Sequence, residues 1–190
     1  MLGEGIEMVA PAGGDDARRG DPVRDTAHQL LPPHAGYVAH YRVRHHEMDA
    51  LGHVNNAVYL HYLEQTAIQH STALGYSGER LRELGGLFIA SRHEIDYLRP
   101  AIAGDLLKVV TWVAEMGGAR SRRDYAILRR AEPADRRIPA DGILAAGEAA
   151  PGELLVRART QWAWVGVADG RPRRIPPALR VVFLAGLGDE

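Results

Sequence analysis

Hydrophobic and polar residues alternate most regularly along segment 153–167 near the end of the chain. Apolar or small side chains occupy every second position, while Arg157 and Arg159 belong to the other face. A period of two is typical of an antiparallel strand with one buried and one wet side. The pattern therefore predicts a strand here. Its buried face is predicted to carry Leu154, Val156, Ala158, Thr160, Trp162 and Trp164.

A helical spacing begins at the two asparagines Asn55 and Asn56. Apolar and aromatic residues recur at approximately helical intervals over 58–74, and Gly75 follows as a natural helix end. Either asparagine can cap the first turn, because its side-chain oxygen accepts a hydrogen bond from a free backbone N–H. The spacing predicts a helix over about 56–74.

Four other segments have strand character, namely 37–45, 87–98, 105–115 and 120–130. The links between the strands from residue 87 onward are of hairpin length, apart from one longer stretch. One early helix followed by a run of strands predicts an α+β fold, in which a helix packs on an antiparallel sheet.

Two segments sustain no periodicity. Residues 1–36 are rich in Gly and Pro and are predicted to form a flexible N-terminal arm. Residues 131–152 are rich in Ala, Gly and Pro and are predicted to form a long loop or an insertion within a hairpin. The 190-residue length favours one domain, which would run over 37–190 and include this insertion.

Composition excludes several classes of protein. The chain has no Cys, which excludes a disulfide scaffold, a Cys nucleophile, a zinc ribbon and an iron–sulfur site. The net charge of -1 argues against a dedicated nucleic-acid binder. No apolar run is long enough to span a membrane, and the first residues do not resemble a signal peptide. We therefore expect a cytoplasmic protein without a nucleic-acid or membrane partner.

The densest group of polar residues lies at 45–64, where a loop enters the predicted helix. Free N–H groups and the helix dipole at such a start can stabilise a developing oxyanion. Asp49 in the loop can supply a nucleophile or general base, although a loop Asp can also serve as a cap or turn residue. The spacing of His45, Asp49 and His53 by four would suit a metal site on a helix, but Gly52 and the loop context oppose it.

The segment 49–64 reads DALGHVNNAVYLHYLE, and it resembles the signature of the hot-dog-fold acyl thioesterases. The similarity is to the 4-hydroxybenzoyl-CoA thioesterase-like acyl-CoA hydrolases and, more distantly, to the plant acyl-ACP thioesterases. Three family-like segments follow in order: IDYLRPAIAGD, ARTQWAWV and GRPRRIP. The resemblance covers about residues 38–182 apart from the insertion. It implies a hot-dog fold, with an antiparallel sheet wrapped around the helix.

The resemblance also implies roles for individual residues. Asp49 matches the catalytic acid, which attacks the thioester carbonyl or activates a water. Asn56 matches the helix-start position whose backbone N–H polarises the thioester C=O. His53 matches a histidine implicated in the plant-like branch, but Leu51 stands where that branch has Asn, so an Asp-centred mechanism is favoured. Glu64 matches a helix carboxylate that can orient water or the Asp loop.

A cluster of arginines follows the Gly117-Gly118 turn. In CoA-using relatives this region lies near the nucleotide phosphates, so Arg120, Arg122 and Arg123 are candidates for binding them; a solvated hairpin is the alternative. The resemblance implies no cofactor and no metal. It implies at least a homodimer, or a homotetramer, with active sites at the dimer interface.

The expected reaction is hydrolysis of an acyl-CoA to a carboxylic acid and free CoA. Two alternatives remain open at this point. One is hydrolysis of an acyl chain carried by an acyl-carrier protein. The other is a non-catalytic acyl-CoA-binding hot-dog protein, because a fold does not fix a function.

Overall fold

The computed structural model of the chain describes residues 32, 35–131, 137–148 and 152–185. The predicted arm at 1–36 therefore lies almost entirely outside the described residues. Ten elements follow one another in the described residues. They are β1 (Gly36–Arg42), a 3₁₀ helix (His45–Glu47), α1 (Asn56–Ala73), α2 (Gly78–Glu83), β2 (Gly86–Tyr97), β3 (Leu106–Gly117), β4 (Arg120–Arg130), β5 (Gly142–Leu144), β6 (Glu153–Gly166) and α3 (Pro177–Phe183).

The strands form one sheet in the order β2-β6-β4-β3-β1-β5, and every neighbouring pair is antiparallel. The helix α1 packs on one face, where Tyr59, Tyr62 and Leu63 are buried against side chains from β3, β4 and β6. Burying a large side chain of this kind contributes about 1.5–3 kcal/mol, so this contact is a main source of stability. The predicted α+β hot-dog architecture is confirmed.

The ends of α1 agree with the predicted helix to within a residue. The Asn55 side chain accepts a hydrogen bond from the Ala57 N–H (2.9 Å), which makes Asn55 the cap. At the other end the Leu74 N–H donates to His70 O, and Gly75 has a φ of +86°. A left-handed residue at this place ends a helix at little cost when it is glycine.

The face of β6 was predicted correctly except at its beginning. Val156 and Leu155 belong to the cluster under α1, whereas Leu154 packs into a second cluster that does not include α1. The reason is a register shift opposite Ile127 and Leu128, which places Leu155 between two paired positions. Such a bulge reverses the alternation of faces, which a simple period of two does not show.

Within the predicted insertion, residues 137–148 are described and contain the short strand β5. This strand pairs with β1, and Leu144 packs with Val38 and Trp112 in the second cluster. Asp141 accepts hydrogen bonds from the His40 N–H (2.8 Å) and from Gln69 Nε2 (3.3 Å). The described part of the insertion is therefore attached both to the sheet edge and to α1.

Candidate active site

The loop between the 3₁₀ helix and α1 is closed by its own backbone. Met48 and Val54 form an isolated antiparallel bridge, and the Asp49 N–H donates to His53 O at 2.8 Å. Gly52, with a φ of +77°, allows the tight path between them, and its N–H donates to Asp49 O at 3.1 Å. This closure fixes the position of Asp49 relative to the start of α1.

Asp49 is half-buried as a residue, and its carboxylate is held by backbone donors. Its Oδ1 accepts hydrogen bonds from the Leu51 N–H (2.8 Å) and the His53 N–H (3.3 Å). Within the part of the chain that the structure describes, Oδ2 accepts no hydrogen bond. One oxygen is thus fixed, while the other can take a proton from water or attack a carbonyl carbon.

The start of α1 presents the second chemical group of the site. Asn56 is the first helical residue, its side chain is exposed, and its N–H has no hydrogen-bond partner among residues 35–131, 137–148 and 152–185. Its carbonyl oxygen accepts from Tyr97 Oη at 3.0 Å. An unpaired N–H at the positive end of a helix dipole is suited to stabilise an oxyanion.

Glu47 connects this loop to α1, and it was not among the residues predicted from the sequence. The residue is only 4% exposed, and its Oε2 accepts from the Arg44 N–H (2.6 Å) and from Tyr62 Oη (2.8 Å). The Arg44 guanidinium donates to Oε1, and Glu47 O accepts from the Asn55 N–H. In a capping box, an acidic residue lies three positions after the residue that caps a helical turn. Arg44 and Glu47 have this spacing, which could have indicated the role of Glu47.

Burial by itself raises the pKa of Glu47, but hydrogen bonds from Arg44 and Tyr62 outweigh it and hold the pKa below its ordinary value of 4.5. A lowered pKa in the folded state contributes stability above the unfolded-state pKa. That contribution is lost as the pH falls through the folded-state pKa.

We expect Glu47→Gln to lower the free energy of unfolding at neutral pH by roughly 1.5–3 kcal/mol, because bonds to a charged acceptor are lost. Urea unfolding of both proteins from pH 7 down to below about pH 4.5 should show the difference shrinking in acid. Glu83→Gln is the matched control, since Glu83 forms the same i,i+3 pair with Arg80 but is 55% exposed; its effect should be small. A difference for Glu47→Gln that stays constant with pH would contradict the assignment.

The structure brings three of the four predicted catalytic residues into one junction. Asp49, His53 and Asn56 lie together in the closed loop and the first turn of α1, although the His53 side chain is exposed and only its backbone bonds to Asp49. Glu64 lies eight residues along α1 from Asn56, about 12 Å along the helix axis. Its side chain is exposed and makes no hydrogen bond or ion pair to Asp49.

The predicted arginine cluster is divided between the two faces of the sheet. Arg122 pairs with Glu115 (2.5 Å) and Asp124 (3.3 Å) on the face away from α1. Arg123 is buried on the α1 side, where its Nη1 bonds to His70 Nδ1 at 2.8 Å. Neighbouring residues of a strand point to opposite faces, so the three side chains cannot form one phosphate-binding group. A role in binding CoA phosphate stays a prediction for Arg120 and Arg122.

Neither a metal-ligand cluster nor a membrane-spanning helix occurs in the described residues. No group of three or more His, Asp or Glu side chains in those ranges is arranged to hold a metal ion. None of the helices found there is both long and apolar enough to cross a membrane.

Comparison with protein-family models matches residues 43–183 to the thioesterase-like superfamily. The match covers most of the chain and includes the loop of Asp49, the whole of α1 and strands β2 to β6. The chain belongs to the thioesterase-like superfamily. The family predicted from segment 49–64, a family of thioester hydrolases, is therefore confirmed.

Individual relatives of this thioesterase-like chain support the same family. An acyl-CoA thioesterase YbgC from Haemophilus influenzae is 33% identical over 95 residues, which are 50% of this chain and 70% of the relative. A chloroplastic palmitoyl-acyl carrier protein thioesterase from Gossypium hirsutum is 23% identical over 146 residues, or 74% of this chain. The chain spans only 31% of the length of that cotton relative.

Among solved structures, a 1,4-dihydroxy-2-naphthoyl-CoA thioesterase from Synechocystis superposes with a TM-score of 0.62. The superposition covers 79% of this chain and 96% of the other, at 16% identity. At that identity the likeness shows the fold alone, and the shared fold is the hot-dog fold.

Proposed function

We propose that the protein hydrolyses an acyl-CoA to a carboxylic acid and free CoA. One observation carries the proposal. The closed loop 48–54 fixes one oxygen of Asp49, while its other oxygen and the Asn56 N–H in the adjoining first turn of α1 have no hydrogen-bond partner among the described residues. A carboxylate beside an oxyanion donor is the pairing that acyl transfer requires.

Two routes use these groups, and both conserve atoms and charge. In one, Asp49 Oδ2 removes a proton from water as the water oxygen attacks the carbonyl carbon; the tetrahedral intermediate then expels the thiolate, which takes up the proton from Asp49. In the other, Oδ2 itself attacks, the thiolate leaves, and water then cleaves the resulting anhydride. In both routes the Asn56 N–H stabilises the negative charge that develops on the carbonyl oxygen.

His53 and Glu64 take supporting roles in this proposal. The His53 backbone bonds to both the N–H and the carboxylate of Asp49, so the residue positions the acid, and its exposed imidazole borders the site. Glu64 lies on the same helix as Asn56, and we assign it the orientation of water. Asp49 remains the group that does the chemistry.

The relatives differ in the carrier of the acyl group. The Haemophilus relative is named for acyl-CoA and the cotton relative for an acyl-carrier protein, so the carrier-protein thioester is the second candidate substrate. On this chain the exposed Arg120 and the paired Arg122 border a surface hollow of about 580 Å³. Arg159 and Glu115 also line the hollow, so its side chains carry three positive charges and one negative charge, and this excess of positive charge favours CoA, whose phosphates it could bind.

Release of free thiol from a panel of acyl-CoAs tests the proposal, with matched acyl-pantetheine and acyl-carrier-protein thioesters beside it. We expect turnover of at least one acyl-CoA and a higher KM for the corresponding acyl-pantetheine, which lacks the nucleotide phosphates. Faster turnover of the carrier-protein thioester would favour the second candidate. Stoichiometric acyl-CoA binding without turnover would establish the non-catalytic alternative instead.

We also propose that two copies of the chain associate through β2. This strand has 12 residues and lies at the edge of the sheet, and no described strand pairs with its outer side. Exposed apolar side chains such as Ile89, at 52%, lie along it. A long unpaired edge of this kind is a template for pairing with another strand.

Sedimentation equilibrium of the full chain tests this association. The expected mass is twice the 20.8 kDa of one chain, and four times that mass would identify a tetramer. A single-chain mass at micromolar concentration would contradict the proposed pairing.

A further inference from the structure

A cavity of about 240 Å³ lies between the second half of α1, the helix α2 and the sheet. Most of its surface is apolar, and its walls include Ala67, Leu81, Phe88, Val113, Trp162 and Phe183. None of the residues assigned above to the chemical step lines it. The cavity, which we call the Arg123 pocket, is therefore a separate feature that the proposed chemistry does not yet explain.

One cation lies in this apolar wall. Arg123 is only 5% exposed and lines the pocket from β4. Its Nη1 bonds to His70 Nδ1 (2.8 Å) and to Thr111 Oγ1 (3.3 Å), and both partners are neutral acceptors in this arrangement. No carboxylate of the described chain forms an ion pair with it.

Burying a guanidinium without an opposite charge is costly, and burial lowers the pKa of Arg123. The guanidinium has five N–H donors in a planar fork, and its two bonds to the described residues both use Nη1. Donors thus remain for a ligand, and a carboxylate matches the fork in both geometry and charge. The hydroxyl of Ser121 is a further polar group in the same wall.

The Arg123 pocket also lies on the face of α1 that starts at the oxyanion donor. Asn56, Leu60, Glu64, Ala67 and Ser71 are separated by three or four residues, so they line one side of the helix. The last two of these residues border the pocket. Ala67 is eleven residues beyond Asn56, which is about 16 Å along the helix axis. An extended acyl group with its carbonyl at Asn56 can therefore point along this face toward Arg123.

We propose that the Arg123 pocket binds the far end of the acyl group and that Arg123 selects acyl groups ending in a carboxylate. The proposal rests on the proposed thioesterase function and specifies its substrate as an ω-carboxyacyl thioester. The apolar walls take up the methylene body of the group, because they remove its surface from water. The guanidinium then pairs with the terminal carboxylate, so that neither ion is buried without an opposite charge.

Hydrolysis of matched acyl-CoA pairs tests this selection. The pairs are octanoyl and octanedioyl-CoA, dodecanoyl and dodecanedioyl-CoA, and hexadecanoyl and hexadecanedioyl-CoA. Three lengths are compared because the distance from the carbonyl at Asn56 to Arg123 determines which acyl chain fits. At that length we expect kcat/KM of wild type to be about tenfold or more higher for the acyl group that ends in a carboxylate. A hydrogen-bonded charge pair between Arg123 and that carboxylate accounts for a preference of this size. Arg123→Met should abolish this preference, and Arg123→Lys should retain part of it. Arg159→Met, which removes an arginine from the neighbouring strand β6, should leave the ratio unchanged.

Binding separates this proposal from the proposed function. The Asp49→Asn variant is titrated calorimetrically with dodecanedioate and with dodecanoate, each with and without Arg123→Met. Tighter binding of the diacid that requires Arg123 supports the pocket even if no thioester is hydrolysed. Equal affinity for the two acids, or an equal loss of both upon Arg123→Met, would overturn it. If Arg123→Met fails to fold, Arg123→Gln decides, because glutamine keeps hydrogen-bond donors and removes the charge; a preference for the diacid equal to that of wild type would then assign Arg123 a structural role only.

Discussion

Replacement of Asp49 by asparagine is expected to lower kcat/KM for acyl-CoA hydrolysis by roughly 10²–10⁴-fold. The side-chain oxygen of asparagine can still accept from the Leu51 and His53 N–H groups, so the loop should keep its conformation. What is lost is the second carboxylate oxygen and its negative charge. Steady-state thiol release, with unfolding measured in parallel, separates the loss of chemistry from a loss of structure.

Asp169→Asn is the matched control for this substitution. Asp169 also accepts from the backbone N–H two residues ahead, Arg171, at 3.2 Å, but it lies in the turn after β6. We expect its kcat/KM to equal that of wild type. Unchanged hydrolysis by Asp49→Asn would remove Asp49 from the mechanism and with it the proposed site.

The second large effect is expected at a backbone atom. Asn56→Pro removes the N–H that we assign to the oxyanion, and it should lower kcat by about 10²–10³-fold. Proline is tolerated at the first position of a helix, where the N–H is unpaired in any case. The preceding Asn55 has φ of -58° and ψ of 134°, which a residue before proline can adopt. The helix should therefore persist while one donor disappears.

Asn56→Ala distinguishes the backbone from the side chain at this position. Alanine keeps the N–H and removes only an exposed amide, so kcat should stay close to that of wild type. Circular dichroism and thermal unfolding of both variants check that α1 is retained. A loss for alanine as large as that for proline would show that the side chain acts and that the proposed oxyanion donor is wrong.

The position of α1 was predictable because local chemistry determines it. Asn55 caps the helix, apolar spacing defines its buried side, and Gly75 ends it. The strands before and after it were also predictable to within about three residues, since each is long enough to show its character. The same reasoning could not find β5, because three residues do not establish a period and its partner β1 is distant in the sequence.

Features that depend on the pairing register of the strands were harder to predict from the sequence. The bulge that moves Leu154 to the other face arises where β6 pairs with β4, and nothing in the spacing of β6 itself shows it. The arginines after the turn were grouped because they are close in sequence. Consecutive residues of a strand point to opposite faces of the sheet, so the side chains of Arg122 and Arg123 have different surroundings.

The candidate site was predictable only in part. The motif of 49–64 singled out Asp49 and Asn56, and the structure adds how the backbone holds one and exposes the other. Glu47 could be assigned only in part from its own segment: the capping-box spacing indicates its bonds to Arg44, whereas its burial depends on Tyr62, fifteen residues away. A role for the charge of Arg123 likewise could not be predicted from the sequence, because it depends on the position of this residue in an apolar wall of the folded chain.

The central claim is that Asp49 and the Asn56 N–H together hydrolyse an acyl thioester. Its most direct test is the rate of free CoA release from the best acyl-CoA of the panel, measured side by side for wild type, Asp49→Asn, Asp169→Asn, Asn56→Pro and Asn56→Ala at equal concentrations. We predict turnover by wild type, Asp169→Asn and Asn56→Ala, with a loss of at least about 100-fold for Asp49→Asn and Asn56→Pro. Equal rates for all five proteins, or no release by wild type, would contradict it.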